Sequence, residues 1–224
     1  ILEILIGTTN LSKVRRITEL LDGTDARLLT LADIVAAVGH ELGEPDEVGM
    51  TPEENARIKV AYYRQYHEPV ICQDSGLYFD ELPLDDPRQP GLNIRTPSTP
   101  STPNGRKRLS DDEMIEYYSS LVASLGGQVT AYYLDSYAVS RCGNITSFME
   151  NSEMTRLGSF YMVSTPSEKR NPGWPLNSLS INKNTLEYFA EAGGDRYKSL
   201  GDEASIAAYK SRLVEFLHQA LGLD

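Results

Sequence analysis

Residues 4–13 read Ile4-Leu5-Ile6-Gly7-Thr8-Thr9-Asn10-Leu11-Ser12-Lys13, a short apolar run followed by a polar turn. The apolar run predicts a buried strand, and the residues after the turn predict a helix from about Ser12 to Leu21. A strand, a tight turn and a helix in this order bring backbone N–H groups and the positive end of the helix dipole to one point. Phosphate groups bind at such points, so the stretch predicts a site for a phosphate-bearing ligand. The residues that would bind it are Thr8, Thr9, Asn10 and Lys13.

The same turn has a simpler interpretation. Thr and Asn after a strand frequently cap the following helix without binding a ligand. The stretch matches neither the G-x-x-x-x-G-K-[ST] phosphate loop nor the three-glycine dinucleotide pattern. The choice between a phosphate site and a plain helix cap therefore depends on what the rest of the chain supplies.

A second polar cluster follows a later predicted strand, Pro69 to Cys72. Its residues, Gln73-Asp74-Ser75-Gly76, predict that the strand stops there in a turn. Open α/β sheets bind their ligands at the carboxyl ends of strands. Ser75 and Gly76 would offer backbone N–H groups at this point, and Asp74 would place a carboxylate near the phosphate site.

Glu47, in the acidic loop 39–50, is a second candidate carboxylate. Two carboxylates form a common Mg²⁺ site together with phosphate oxygens and water, so Glu47 and Asp74 are the predicted metal ligands. The alternative is that Asp74 only caps a turn. Lys59 lies in the next predicted helix, and from its position alone it would be an ordinary solvent-facing lysine.

Helices alternate with strands along the first half of the chain, and a run of strands follows. This order predicts an α/β protein with one long mixed central sheet flanked by helices. The further predicted strands are 27–31, 77–79, 129–141, 145–149 and 159–163, and the further predicted helices are 51–67, 110–125, 185–192 and 203–221. Residues 83–105 predict a loop, with a Pro/Ser/Thr-rich segment at 96–105, inside a single domain that spans 1–224.

The composition limits the class of protein. The chain has 224 residues, of which 40% are hydrophobic and 24% charged, as in an ordinary globular domain. A net charge of −11 argues against a nucleic-acid partner, because phosphate backbones bind through many Lys and Arg contacts. No apolar run approaches the roughly 18 residues that would predict a membrane span. The two cysteines and three histidines have no metal-binding or redox spacing, so we expect a reduced, cytoplasmic protein.

Three motifs, taken in order, resemble the inosine-triphosphate pyrophosphatase family. They are Thr8-x-Asn10-x-x-Lys13, Gly49-Met50-Thr51-x-x-Glu54-Asn55-Ala56-x-x-Lys59 and Asp74-Ser75-Gly76-Leu77, with Pro90-Gly91 downstream. The resemblance is specific over about residues 4–95 and follows only the order of elements beyond them. Members of this family use Mg²⁺ to hydrolyse deaminated purine nucleoside triphosphates (ITP, dITP, XTP) to the monophosphate and pyrophosphate. The resemblance implies an elongated mixed sheet, two lobes with a cleft between them, and a homodimer.

The resemblance also implies roles for individual residues. Residues Thr8 to Lys13 would bind the triphosphate, Lys59 would face the nucleotide, and Ser75 would touch the substrate. Glu47 and Asp74 would hold Mg²⁺. Asp74 would also activate the attacking water, and Lys13 would stabilise the leaving pyrophosphate, which makes these two the predicted catalytic residues.

The chain departs from the family pattern in three places. Gln73 stands where the family has the first Asp of its D-D-S-G motif, which removes a charge near the metal. The G-F-G-Y-D-P-x-F segment that holds the base has no clean counterpart, although residues 171–175 include Trp174 as a stacking aromatic. The late S-H-R motif is absent. Lys198 is the candidate for the substrate-binding lysine that the family has upstream of that motif. The preferred base therefore does not follow from the sequence.

Other functions remain open at this point. One is a pyrophosphatase for other modified nucleotides on the same fold. Another is a diverged nucleotide-binding module without catalysis, which the missing late motifs favour. A third is a structural or interaction protein, for which the three motifs would match by accident.

Overall fold

The computed structural model describes residues 1–97, 107–192 and 203–223. Its strands are β1 (Glu3–Ile6), β2 (Arg27–Thr30), β3 (Val70–Phe79), β4 (Gln128–Arg141), β5 (Asn144–Met149), β6 (Phe160–Val163) and β7 (Ser180–Ile181). Its helices are α1 (Leu11–Leu20), α2 (Leu31–Val38), α3 (Pro52–Tyr63), α4 (Asp111–Ser124), α5 (Ser152–Leu157) and α6 (Glu203–Leu221), with a 3₁₀ turn at Pro175–Ser178.

The strands form one mixed sheet in the order β2-β1-β3-β4-β6-β7, with β5 paired to β4. β1 pairs in parallel with both β2 and β3, whereas β4 pairs antiparallel with β5 and β6. The predicted fold class, α/β with a mixed central sheet flanked by helices, is therefore confirmed.

The chain divides into two compact units. The first contains Ile1–Ser75, Asp135–Glu150 and Ala207–Asp224, and the second contains Gly76–Leu134 and Asn151–Ile206. Whether they act as one domain of two lobes over 1–224 stays a prediction.

Each unit has its own core. In the first unit the side chains of β1 alternate between two buried clusters, because successive residues of a strand face opposite sides of the sheet. Ile4 and Ile6 pack with residues of α1 and α6, whereas Leu5 packs with residues of α2 and α3. The core of the second unit is centred on α4, with Met114, Tyr118 and Val122 packed against strand residues such as Phe160.

β3 is longer than predicted. It runs without interruption through Gln73-Asp74-Ser75-Gly76, so the predicted turn at these residues is wrong, and so is the interpretation of Asp74 as a turn cap. Short polar residues and Gly favour turns locally. Here Asp74 has buried partners in tertiary contact, and these keep the backbone extended.

Three helix assignments also differ from the prediction. α2 and α5 are additions. In α2, Thr30 and Asp33 form a capping box at the start, and Gly39 ends the helix in the left-handed conformation. The helix predicted over 185–192 is wrong, because Leu186 has a positive φ of 60° and the chain returns to pair Tyr188 with Ile181. Short helices and strands of this kind carry weak periodic signals.

Two sequence predictions fall partly or wholly outside the described residues. Of the Pro/Ser/Thr-rich segment 96–105, the structure describes only residues 96 and 97, and Lys198 is not described. Within the described ranges, none of the helices has both the length and the apolarity needed to cross a membrane.

Candidate functional site

The turn after β1 and the polar stretch that begins at Gln73 meet where β1 and β3 run side by side. β1 and β3 are in parallel register, with Leu5 opposite Val70 and Ile6 opposite Ile71. The turn after β1 therefore lies beside the middle of β3, and α1 begins there. Lys13 Nζ donates to the backbone oxygen of Gln73 at 3.1 Å and lies 3.6 Å from Asp74 Oδ1.

Gly7 makes this approach possible. A Cβ at this position would lie 2.5 Å from Cys72 Sγ and 2.9 Å from a ring carbon of Tyr63. Contacts that short do not occur in ordinary packing, so any side chain at Gly7 would displace the side chains of Cys72 and Tyr63 or the backbone of β1. The Gly7 N–H donates to the Ile71 oxygen at 2.9 Å, which holds the turn close to β3.

The start of α1 is capped from within the chain. Asn10 Oδ1 accepts hydrogen bonds from the backbone N–H groups of Ser12 at 3.0 Å and Lys13 at 3.4 Å, and Thr8 Oγ1 accepts from Asn10 N at 3.2 Å. The expectation that this turn presents free N–H groups is therefore wrong for Ser12 and Lys13, because Asn10 caps the helix. Phosphate binding at the turn stays a prediction. An anion at this helix start would have to displace the Asn10 side chain or bind the Lys13 ammonium.

Lys59 is a largely buried member of the site. α3 begins with Thr51 as its cap and Pro52 in its first turn. From this helix, Lys59 Nζ reaches Asp74 Oδ1 at 2.9 Å and Glu47 Oε2 at 2.9 Å, with 12% of its side chain exposed. The interpretation of Lys59 as a solvent-facing lysine is therefore wrong. The two predicted metal ligands, Glu47 and Asp74, instead converge on its ammonium group.

Asn55 is a residue of this site to which the sequence analysis gave no role. It is 4% exposed, and its Nδ2 donates to Asp74 Oδ2 at 3.2 Å. Its Oδ1 accepts from Gly49 N at 2.8 Å, where an added Cβ would lie 2.5 Å from the same oxygen. The detectable signal was an Asn in a helix interior, where its propensity is low and a tertiary partner is expected.

The two ammonium groups differ in their electrostatics. Burial, followed by the positive charge of Lys59, lowers the pKa of Lys13, although Asp74, Asp135 and Glu47 act in the opposite direction. Burial alone would also lower the pKa of Lys59, but the charge of Asp74 and the hydrogen bonds to Asp74 and Glu47 outweigh burial and raise it. Lys59 is therefore the cation that the carboxylates hold more firmly.

The donor set fits a divalent cation that is shared with a ligand. In the part of the chain that the structure describes, no group of three or more His, Cys, Asp or Glu side chains is arranged to hold a metal. Glu47 and Asp74 supply two carboxylates that already gather around one cationic nitrogen. Mg²⁺ is commonly bound by one or two carboxylates, with phosphate oxygens and waters as the remaining ligands.

The hydroxyl group of Ser75 belongs to a separate buried network. Ser75 Oγ donates to Asp135 Oδ1 at 2.7 Å and accepts from Gln73 Nε2 at 2.7 Å. Asp135 is 1% exposed and lies 3.0 Å from Arg16 Nη1. Because its hydroxyl proton is used for Asp135, Ser75 as it stands would offer a substrate its backbone rather than its side chain.

Asp135 and Arg16 were not predicted from the sequence. The signal for Asp135 was a carboxylate in the middle of an otherwise buried strand, since acidic residues are rarely buried without a partner. Glu150, which is 4% exposed, also accepts a hydrogen bond from Asp135 N through Oε2 at 3.1 Å. The network therefore fixes the backbone directly after Asp74.

Three predicted substrate residues are not part of this cluster as the structure describes it. Thr9 is exposed in the turn before α1. Gly76 continues β3 as the first residue of the second unit. Trp174 also lies in the second unit, 44% exposed, and directly follows Gly173, whose N–H donates to Asp111 Oδ2 at 2.7 Å. Their predicted contacts with a nucleotide stay predictions.

Comparison with known proteins gives a family match over half of the chain. The family model described as Ham1 family matches residues 4–115. The dITP/XTP pyrophosphatase of Dictyoglomus thermophilum is 38% identical over 80 residues, or 35% of this chain and 37% of that protein. The dITP/XTP pyrophosphatase of Bacillus anthracis is 36% identical over 81 residues, or 36% of this chain and 38% of that protein. The match thus spans little more than a third of the length of these curated relatives.

Solved structures extend the likeness of fold to nearly the whole chain. A HAM1 protein from Coxiella burnetii superposes with a TM-score of 0.65 at 18% identity, covering 98% of this chain and all of that one. The Ham1 protein of Staphylococcus aureus superposes with a TM-score of 0.60 at 17% identity, covering 97% and 98%. The motif-bearing residues 4–115 and the shared fold lead to one conclusion: this chain belongs to the Ham1 family.

Proposed function

We propose that this protein is a Mg²⁺-dependent nucleoside triphosphate pyrophosphatase that releases pyrophosphate and a nucleoside monophosphate. The observation that carries the proposal is the meeting of two ammonium groups and two carboxylates, with Lys13 and Lys59 at 3.6 and 2.9 Å from the same oxygen of Asp74. A polyphosphate needs cations, and a divalent ion needs carboxylates, and this site brings both together in ion-pair contact.

The substrates that we propose are deaminated purine nucleotides, ITP, dITP and XTP. The support is the name dITP/XTP pyrophosphatase carried by the relatives that match the motif-bearing part of the chain. The role in the cell would be removal of such nucleotides from the nucleotide pool. A homodimer and a cytoplasmic location also stay predictions.

In the proposed reaction, Glu47 and Asp74 would hold the metal, which when bound would neutralise charge on the phosphate oxygens. Lys13 binds the departing pyrophosphate through its ammonium group. Asp74 accepts a hydrogen bond from the attacking water and orients it toward the α-phosphorus, while Asn55 fixes the carboxylate through Oδ2. Every hydrogen bond to a charged phosphate oxygen contributes about 1.5–3 kcal/mol if it tightens in the transition state.

The test is a substrate panel with product analysis. Purified protein with Mg²⁺ is incubated with ITP, dITP, XTP, dUTP, GTP or ATP, and pyrophosphate and phosphate are measured separately. The expected result is pyrophosphate from ITP, dITP and XTP, with ¹⁸O from labelled water found in the monophosphate. Release of phosphate in place of pyrophosphate would contradict the proposed bond cleavage.

Two variants make the panel specific to this site. Asp74→Asn should lower kcat by more than about 100-fold, because it removes a metal ligand and the group that orients water. Asp22→Asn makes the same chemical change at an exposed position in the first unit and should leave kcat unchanged. Near-normal turnover by Asp74→Asn would refute the mechanism. ITP binding without turnover in the unmodified protein would instead favour a nucleotide-binding module without catalysis.

A further inference from the structure

Lys59 occupies the position between the two carboxylates that would hold a metal ion. Its Nζ lies 2.9 Å from Glu47 Oε2 and 2.9 Å from Asp74 Oδ1. Only 12% of the side chain is exposed, so the ammonium group is largely out of water and held by these two partners. A lysine nitrogen in this place does what a small cation would do: it neutralises two carboxylates that would otherwise repel one another.

The remaining donors complete the neutralisation. Asp74 Oδ2 accepts from Asn55 Nδ2 at 3.2 Å, and Lys13 Nζ lies 3.6 Å from Asp74 Oδ1. Two ammonium groups therefore face two carboxylates, and the local charge sums to zero. Glu47 keeps 42% of its side chain exposed, so an ion from solvent can reach it.

A divalent ion bound to this arrangement meets two costs. Its ligand oxygens lie about 2.0–2.6 Å from the ion for Mg²⁺ or Ca²⁺, so an ammonium that stays hydrogen-bonded to the same oxygens is only a few ångströms away. Two cations at such a separation repel strongly where little water screens them. The ion also loses the attraction of carboxylates whose charge is already compensated.

From these contacts we propose that Lys59 is the resident counter-cation of the metal-free site, and that a divalent ion binds tightly only when this ammonium leaves the carboxylates. The proposal rests on the proposed role of Glu47 and Asp74 as metal ligands. A triphosphate supplies the alternative partner for Lys59, because its oxygens accept hydrogen bonds from ammonium groups. The metal and the nucleotide therefore bind together, and metal without nucleotide binds weakly.

The plain alternative is that Lys59 only anchors the loop containing Glu47 to β3. The two interpretations differ in the sign of one effect. If Lys59 competes with the ion, removal of its charge strengthens metal binding. If Lys59 is an anchor, its removal loosens Glu47 and metal binding weakens or stays as it was.

The experiment is a calorimetric titration of the 224-residue chain with Mn²⁺ alone, without any nucleotide. Lys59→Met keeps the length of the side chain but removes its charge, and it should bind Mn²⁺ at least about tenfold more tightly than the unmodified protein. Lys59→Arg keeps the charge and should bind as weakly as the unmodified protein. Lys107→Met is the matched control, because it makes the same charge change at an exposed lysine that pairs with Glu113 in the second unit.

The gained site must also depend on the predicted ligands. In the double variant Lys59→Met/Glu47→Gln the gain in Mn²⁺ affinity should disappear. Equal affinity of the unmodified protein and Lys59→Met, an equal gain in Lys107→Met, or a gain that survives Glu47→Gln would each overturn the proposal. Near-UV circular dichroism checks folding, and Lys59→Gln serves as the second uncharged variant.

Failure here is distinct from failure of the proposed function. The titration contains no nucleotide and measures no turnover. A gain in affinity with no hydrolysis of any nucleotide would uphold the counter-cation and refute the pyrophosphatase, whereas hydrolysis without the gain would do the reverse.

Discussion

Burial should decide how strongly an ion pair stabilises this protein, and two arginine–carboxylate pairs of the first unit allow a direct comparison. Arg16 and Asp135 lie 3.0 Å apart with side chains that are 18% and 1% exposed. Arg27 and Glu3 lie 2.8 Å apart, with side chains that are 67% and 42% exposed. The separations are similar, so the pairs differ in the exposure of the charges and in the Ser75 hydroxyl that donates to Asp135; a double-mutant cycle removes the second effect from the coupling energy.

The magnitudes follow from that difference. Removing one partner of a buried pair leaves the other charge poorly solvated and costs about 3–5 kcal/mol in the free energy of unfolding. We expect about 3 kcal/mol for Asp135→Ala, because the Arg16 side chain keeps some contact with water. The exposed pair is screened by solvent, so Glu3→Ala should cost no more than about 1 kcal/mol.

The assay is a double-mutant cycle for each pair, measured by urea unfolding at pH 7. Arg16→Met with Asp135→Ala should give a coupling energy near 2 kcal/mol or more, and Arg27→Met with Glu3→Ala about 0.2–1 kcal/mol. Both pairs belong to the first unit, so one unfolding transition reports both. Coupling energies that agree within about 0.5 kcal/mol would refute the reasoning that burial separates the two pairs.

Three further predictions concern the turn after β1 and its neighbours. Lys13→Met should lower kcat/KM for ITP by about one to two orders of magnitude. Urea unfolding should show that its free energy of unfolding is not reduced, because burial already disfavours the Lys13 charge; a large loss of stability would contradict this. Gly7→Ala should cost about 1–3 kcal/mol by the same method, since its Cβ would overlap Cys72 Sγ, and a neutral effect would show that β1 can shift freely. A maleimide should label exposed Cys142 at once but Cys72 only after unfolding, because burial raises the pKa of Cys72 to about 12. Mass spectrometry counts the labels, and two labels on the native protein would contradict this expectation.

The parts of the fold that the sequence predicted are those with a strong local signal. The apolar run at Ile4 to Ile6 became β1, and the cap and proline at Thr51 and Pro52 began α3. Both patterns depend on residues only a few positions apart, so they can be recognised directly in the sequence. The prediction of a helix at 185–192 was wrong because it rested on residues that favour helices, whereas the backbone at Leu186 has a positive φ.

The sequence predicted which residues belong to the site but not how their side chains contact one another. Lys13, Lys59, Asp74 and Glu47 were all candidates, yet no local pattern indicated that Lys59 would lie between the two carboxylates. Lys59 is 12 positions from Glu47 and 15 positions from Asp74 in the sequence, and the packing of α3 on β3 brings them together. Periodicity and turn chemistry describe neighbours along the chain, whereas a buried ion pair is set by the geometry of the whole unit.

The network around Ser75 was the largest omission. Asp135 lies 60 residues from Ser75 in sequence, and its partners become visible only when β4 is placed in the sheet. A buried carboxylate in a strand does predict some partner. It does not predict which one, because any donor on an adjacent element would satisfy it.

The amide of Asn55 has a direction, since its oxygen faces Gly49 N and its nitrogen faces Asp74 Oδ2. Exchange of the nitrogen for an oxygen, which a single nucleotide change from Asn to Asp or slow deamidation would produce, sets a third carboxylate against Asp74. A point mutation and a deamidation would therefore replace the same atom, Asn55 Nδ2. Burial inside a helix protects that atom from deamidation but not from mutation.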